Sequence, residues 1–182
     1  MTSVATLYAL RCMGSCGTAR IAVALGTEES TVDSDLIDLA VAGMVARAQG
    51  AWCLTDKGRA ADAWYRAEEV KAVHDAVMAA YKDFMVLNPE LLDLCTAWQL
   101  RRADTDRVLE LFADFDHRAD AVLEALATAL PRFARYRERL SAALARARSG
   151  ESAYLADHLE SYHTVWFQLH EDLLATLGMP RW

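Results

Sequence analysis

Apolar residues recur at helical spacing along most of the chain, and glycine or proline interrupts this spacing at only a few places. In the N-terminal third, three short segments each stop at a glycine, which is the residue that most readily ends a helix. The first has Leu7, Ala9 and Leu10 as its inward positions, and Thr27 or Ser30 is the expected cap of the third. The three helices are predicted over residues 4–13, 18–25 and 31–42.

A β-hairpin is predicted directly after the third helix. Residues 44–47 read as a short strand, Gln49-Gly50 as a turn, and residues 51–54 as the returning strand. Thr55 then has the position and the side chain of a helix N-cap. Every later segment has helical spacing, so the hairpin is the only sheet that the sequence predicts.

The remaining two thirds of the chain predict an all-helical domain. A long connecting helix begins at Thr55, with Trp64 among its inward positions. Asn88 is expected to cap a new helix that has Pro89 in its first turn. The predicted helices cover residues 55–87, 89–99, 104–130, 131–149 and 151–177, and the predicted domains are 1–60 and 61–182.

The segment from Ser30 to Arg59 resembles the recognition helix, wing and following helix of MarR-type winged-helix proteins. The likeness rests on Thr31-Val32, Leu39, Gly43-Met44-Val45, Arg47 and Leu54-Thr55-x-Lys57-Gly58-Arg59. It covers the N-terminal third of the chain. The resemblance implies a winged helix of three helices and a short two-stranded wing. With the helical segments that follow, the expected fold is mainly α: this winged helix and then an all-helical C-terminal domain. It also implies that the third helix binds DNA.

The charge of this N-terminal segment argues against a strong DNA-binding module. Residues 1–60 contain five basic and six acidic side chains. Asp33, Asp35 and Asp38 lie on the third helix, although phosphate contacts from basic groups supply most non-specific affinity for DNA. If the segment binds DNA, the expected contacts are Arg20, Thr31, Ser34, Arg47, Lys57 and Arg59. The alternative is that the third helix binds a protein.

Two histidines lie among aromatic residues in the last predicted helix. His163 and His170 are seven residues apart, so they share a helix face but lie about 10 Å apart along its axis. His117 is expected to come from a facing helix. The arrangement is similar to the helical effector domains of GntR-type regulators, which implies a ligand site of His117, His163, Trp166 and His170. The residues themselves favour a set of histidines hydrogen-bonded at the edge of a core, and a pH-sensitive or interface role is a further alternative. No metal site is predicted.

The helix that follows Pro131 is rich in arginine. Six arginines lie between residues 132 and 148, and we expect them to form a solvated face paired with the many acids. The alternative is a surface for an anion or an acidic partner.

Composition narrows the classes of function. No run of 18 apolar residues lacks charge and the N-terminus lacks the features of a signal peptide, so we expect a cytoplasmic protein with no membrane partner. The four cysteines follow neither a disulfide nor a zinc spacing. No phosphate-binding glycine loop, nucleophile elbow or HExxH helix occurs, so neither an enzyme nor a cofactor is expected.

Two functions follow as expectations. The first is a MarR-like transcriptional regulator whose helical domain forms a homodimer, binds a small-molecule effector, or does both. The alternative comes from the segment Ser161 to Leu174, which is similar to the ends of small actinobacterial winged-helix proteins associated with phosphoenolpyruvate-utilising enzymes. That resemblance implies a non-catalytic accessory or regulatory partner protein whose acidic winged helix is a protein-interaction surface.

Overall fold

The computed structural model describes residues 2–100 and 104–179. The α-helices in this part of the chain are α1 (Thr2–Met13), α2 (Thr18–Leu25), α3 (Glu29–Val41), α4 (Asp56–Val70), α5 (His74–Gln99), α6 (Thr105–Ala129), α7 (Ala134–Arg148) and α8 (Tyr162–Thr176), and the strands are β1 (Val45–Ala48) and β2 (Ala51–Leu54). Contacts divide the chain into two compact units. The N-terminal unit comprises Met1–Lys71 and Leu174–Trp182, and the helical unit comprises Ala72–Leu173.

The predicted hairpin is confirmed. Strands β1 and β2 pair in antiparallel fashion, with Val45 opposite Leu54 and Ala48 opposite Ala51. Gln49 and Gly50 both have positive φ, 51° and 81°, as a type I′ turn requires. The first strand begins one residue later than predicted, at Val45. The N-terminal unit therefore has three helices followed by a small two-stranded sheet.

A third piece of chain is attached to this sheet. The N–H of Cys16 donates to the carbonyl of Trp52 at 3.1 Å, and the N–H of Trp52 donates back at 2.9 Å. The sequence indicated only a break between the first two helices here. The bridge fixes the α1–α2 connection to β2, so the order along the chain is helix, bridge, helix, helix and hairpin.

The core of the N-terminal unit matches the predicted inward positions of α1, because Leu7, Ala9 and Leu10 are all buried. Thr55 caps α4 as predicted, since its Oγ1 accepts the N–H of Gly58 at 3.1 Å. The buried apolar side chains of this core are Leu7, Ala9, Leu10, Cys16, Ile21, Ala22, Val32, Leu36, Leu39, Val45 and Leu54.

The predicted start of α3 is wrong. The helix begins at Glu29 and its N-cap is Glu28, which makes no side-chain capping bond. The N–H groups of Thr31 and Val32 donate to the carbonyl of Glu28, so a helical turn already exists where Ser30 was expected to cap. Thr27 is not the cap either.

The predicted long helix over residues 55–87 is also wrong. Helix α4 ends at Val70, a turn follows at residues 71–73, and α5 begins at His74. Trp64, expected to face inward, is 62% exposed. The boundary predicted at residue 60 falls inside α4.

Pro89 does not start a helix, because α5 runs through it. An interior proline removes one backbone hydrogen bond and costs roughly 3 kcal/mol. Packing offsets this cost, since Phe84 and Leu91 on either side of the proline are both fully buried. Asn88 does not cap a helix, and its Oδ1 instead accepts the indole N–H of Trp166 at 3.0 Å.

The helix predicted over residues 151–177 begins only at Tyr162. A 3-10 turn covers Ser152–Tyr154 and irregular turns follow it. The irregular segment ends at Ser161. The Oγ of Ser161 accepts the N–H of Thr164 at 3.2 Å and so caps the first turn of α8.

Aromatic side chains fill the centre of the helical unit. The ring of Trp166 stacks on Phe84 at 4.6 Å between centroids and meets the edge of Phe115 at 5.1 Å. Leu169 and Leu173 extend the same stripe of α8 and are fully buried. No helix among residues 2–100 and 104–179 is long and apolar enough to cross a membrane.

Candidate functional site

Helix α3 has a buried side that holds it in the N-terminal unit. Val32, Leu36 and Leu39 point into the core. Asp35 is also on this side, 9% exposed, and its Oδ2 accepts the hydroxyl of Thr6 on α1 at 2.8 Å. One of the three aspartates that the sequence placed on this helix is therefore a structural group rather than part of a binding surface.

The opposite side of α3 is exposed and combines acids with apolar side chains. Ile37 is 60% exposed and Val41 is 86% exposed, although both are large apolar residues. Helix α3 contains no lysine or arginine. We call the exposed residues of this helix surface the α3 face, and they are Glu29, Ser30, Asp33, Ser34, Ile37, Asp38 and Val41.

The predicted DNA contacts are spread over four elements of the N-terminal unit, α2, α3, β1 and α4. Ser34 belongs to the α3 face, whereas Thr31 is half-buried in the first turn of α3. Arg20 is half-buried on α2. Arg47 is exposed on β1, with its guanidinium 5.3 Å from the centre of the Trp52 ring on the paired strand.

The last two predicted contacts are engaged with the backbone. Lys57 Nζ donates to the carbonyl of Ala42 at 2.8 Å, at the end of α3 where a cation offsets the helix dipole. Arg59 Nη1 donates to the carbonyl of Leu54 at 2.8 Å, and its Nη2 pairs with Asp56 at 2.5 Å. Both side chains thus tie α4 to the end of α3 or to β2, and these bonds direct their charged heads toward protein acceptors.

The predicted ligand residues differ in burial and in the side chains that they contact. Trp166 and His170 both contact Phe84, with the His170 ring centre 5.3 Å from that of Phe84. Trp166 is buried, and its indole N–H donates to Asn88 Oδ1. His117 is exposed on α6, and His163 is half-buried at the start of α8, where burial lowers its pKa. Within the described residues, no group of three His, Cys, Asp or Glu side chains is placed to hold a metal ion.

The arginines after Pro131 pair with acids, as expected. Arg137 binds Asp116 at 2.7 Å and Asp120 at 2.7 Å, and Arg139 binds Glu160 at 2.7 Å. Arg132 faces Asp172, and Arg146 faces Glu151. Arg137 and Arg139 are largely buried rather than solvated, so this set does not form an open anion-binding face.

One buried polar group on α8 has no signal in the sequence. Tyr162 is fully buried, and its hydroxyl donates to Asp116 Oδ1 at 2.8 Å, on the same carboxylate that Arg137 binds. Burial, and then the neighbouring Asp116, raise the pKa of Tyr162 well above its usual value. The three side chains come from α8, α6 and α7, so only the tertiary fold brings them together.

Comparison of the chain with protein-family models, with characterised proteins and with solved structures finds no significant match.

Proposed function

We propose that the N-terminal unit is a winged helix that binds another protein through the α3 face, and that the chain is a non-catalytic regulatory or accessory partner. The observation that carries this proposal is the composition of that face. Two large apolar side chains, Ile37 and Val41, stand exposed between carboxylates on a helix that has no basic residue.

The same face is poorly suited to a DNA groove. A carboxylate about 7 Å from a phosphate costs about 0.6 kcal/mol in water, and more where water is excluded. Glu29, Asp33 and Asp38 are all exposed on α3, so each of these carboxylates adds such a cost. A protein partner instead covers Ile37 and Val41, and full burial of such side chains contributes roughly 1.5–3 kcal/mol each.

Charge indicates the chemistry of the partner. Basic groups that surround an apolar contact would complement Asp33 and Asp38, which flank Ile37 on the helix surface. Such pairs at the rim of an interface mainly increase the association rate, and this increase becomes smaller as the salt concentration rises. The resemblance of the segment Ser161 to Leu174 makes a phosphoenolpyruvate-utilising enzyme of the same organism the first partner to test.

The second candidate function is a MarR-like DNA-binding regulator with a homodimeric or effector-binding helical unit. The observation that favours it is Arg47, which is exposed on β1 beside the hairpin turn where a wing would approach a phosphate. Thr31 and Ser34 would then be the groove-facing side chains of α3.

Photo-crosslinking tests the first proposal. A benzophenone amino acid replaces Ile37 in the full chain in its native cells, and the matched control carries it at Val86, which is 77% exposed on α5. We expect one protein to crosslink at Ile37 and not at Val86, and that protein, once purified, to bind the unmodified chain. Failure of the purified candidate to bind contradicts the proposal.

A DNA titration tests the second candidate. Purified chain is added to fluorescent duplexes from the region upstream of its own gene at 50 mM and 200 mM salt. The first proposal predicts no salt-dependent binding at about 10 µM protein, because non-specific binding by basic modules has dissociation constants of roughly 1–100 µM. Salt-dependent binding that Arg47→Ala abolishes would establish the DNA-binding function instead.

A further inference from the structure

A cleft in the N-terminal unit has the size and the charge of a small-ligand site. Its volume is about 310 Å³, at the lower end of the range for small-molecule pockets, which is roughly 300–1,000 Å³. Of the site residues predicted from the sequence, Arg59 alone belongs to it. Helices α1 and α4 and the chain from Leu174 onward form its wall, with Arg11, Arg59, Asp62, Ala63, Arg66, Leu174, Ala175, Gly178 and Met179 as the lining residues.

Three arginines and one acid line the cleft, and the acid is already paired. Arg66 donates Nη2 to Asp62 Oδ1 at 2.6 Å and Nε to Oδ2 at 2.9 Å. Both side chains are buried, and the guanidinium lies 4.3 Å from the centre of the Tyr8 ring. This pair is neutral overall, and Arg59 is paired with Asp56, so the unpaired positive charge of the cleft comes from Arg11.

Arg11 is the group that a ligand could use. It is exposed at the end of α1, and within residues 2–100 and 104–179 it has no ion-pair partner. Arg59 is half-exposed and is held in place by the carbonyl of Leu54 and by Asp56, so its position is fixed before any ligand arrives.

Two backbone carbonyls at the end of α8 are already paired within the helix and so do not bind these arginines. The carbonyls of Leu174 and Ala175 accept the N–H groups of Met179 and Gly178, at 2.9 and 3.3 Å, so the last turn is capped from within. The side chains of Ala63, Leu174 and Met179 add an apolar wall beside the charged mouth.

We propose that this cleft binds a small organic anion, a carboxylate or a phosphate ester with a short apolar body. Arg11 and Arg59 hold the charged head by charge-assisted hydrogen bonds, and the apolar wall covers the body. The site is separate from the α3 face, and it stands whether that face binds a protein or DNA.

The test is a nuclear magnetic resonance titration of the isotope-labelled full chain with butanoate and with butyl phosphate. Potassium chloride at matched ionic strength is the reference. We expect saturable shifts of the amides of Ala63, Ala175 and Gly178 at probe concentrations up to about 50 mM. The tighter of the two probes identifies the head group.

Two variants decide whether the arginines act as proposed. Arg11→Ala should weaken binding about tenfold or more, because it removes a charged donor. Arg148→Ala, an exposed arginine on α7, should change it less than about twofold. Shifts that do not saturate, shifts that potassium chloride reproduces, or equal affinity of Arg11→Ala and the natural chain would overturn the proposal.

Discussion

The buried Asp62–Arg66 pair on α4 provides a quantitative prediction about the N-terminal unit. Asp62 and Arg66 are 3% and 4% exposed, and two short hydrogen bonds join them. Asp62→Ala leaves the Arg66 guanidinium buried without its carboxylate. Breaking a buried pair in this way costs roughly 3–5 kcal/mol. We expect a value near 3 kcal/mol, since Arg66 keeps its contact with the ring of Tyr8.

Removing both charges should cost much less than removing one. Replacement of a buried pair by apolar residues of similar volume is often neutral, so the double variant Asp62→Leu with Arg66→Met should lie within about 2 kcal/mol of the natural chain. Urea unfolding followed by circular dichroism gives the free energies. Amide hydrogen exchange in α1 and α4 reports the N-terminal unit by itself. A loss under about 1 kcal/mol for Asp62→Ala, or a double variant as unstable as the single one, would contradict this expectation.

Three further predictions concern single positions. Gly58→Ala should destabilise by about 3 kcal/mol in urea unfolding, because its Cβ would lie 1.9 Å from the carbonyl oxygen of Met44; a loss below about 1 kcal/mol contradicts this. Iodoacetamide at pH 8 should alkylate the half-buried Cys53 in the native chain, but it should alkylate Cys95 only after urea unfolds the chain, because burial raises the pKa of the Cys95 thiol to about 12. Rapid labelling of Cys95 in the native chain would contradict this. Burial lowers the pKa of His163, so the unfolded chain binds the proton first and stability should fall as pH drops below about 6.5. His163→Gln should reduce that fall, and an imidazole titration by nuclear magnetic resonance that gives a pKa at or above 6.5 would disprove the cause.

Local signals in the sequence were sufficient wherever one or two residues decide the backbone. Gln49-Gly50 specifies its turn because both residues must adopt positive φ, and Gly43 ends α3 for the same reason. Thr55 caps α4 with its own hydroxyl. These features predicted the hairpin, the end of α3 and the start of α4, although Ser161 offered the same capping signal and was missed.

Tertiary packing decided the elements that the sequence did not reveal. Pro89 gives a strong signal for a helix start, yet the buried stripe through Phe84 and Leu91 keeps α5 continuous. The bridge between Cys16 and Trp52 joins residues far apart in the chain, so no local sequence pattern predicts it.

The sequence predicted only part of the candidate site, again because tertiary packing decides which side chains are exposed. The acids of α3 were visible in the sequence, but only the structure separates the buried Asp35 from the exposed Asp33 and Asp38. Likewise, Lys57 and Arg59 read as basic groups, whereas their donor atoms are bound to backbone carbonyls. Exposure and hydrogen bonding of each charged group depend on neighbours that the spacing of residues does not specify.

The most direct test of the account is the affinity of the crosslinked partner for two matched variants of the full chain. Ile37→Asp places a charge in the centre of the α3 face, and Val86→Asp places the same charge on an exposed apolar position of α5. We predict that Ile37→Asp raises the dissociation constant about 10- to 100-fold, as expected for loss of a buried aliphatic contact, while Val86→Asp changes it less than twofold, about 0.4 kcal/mol. Equal affinities of the two variants would contradict the claim that α3 is the docking surface.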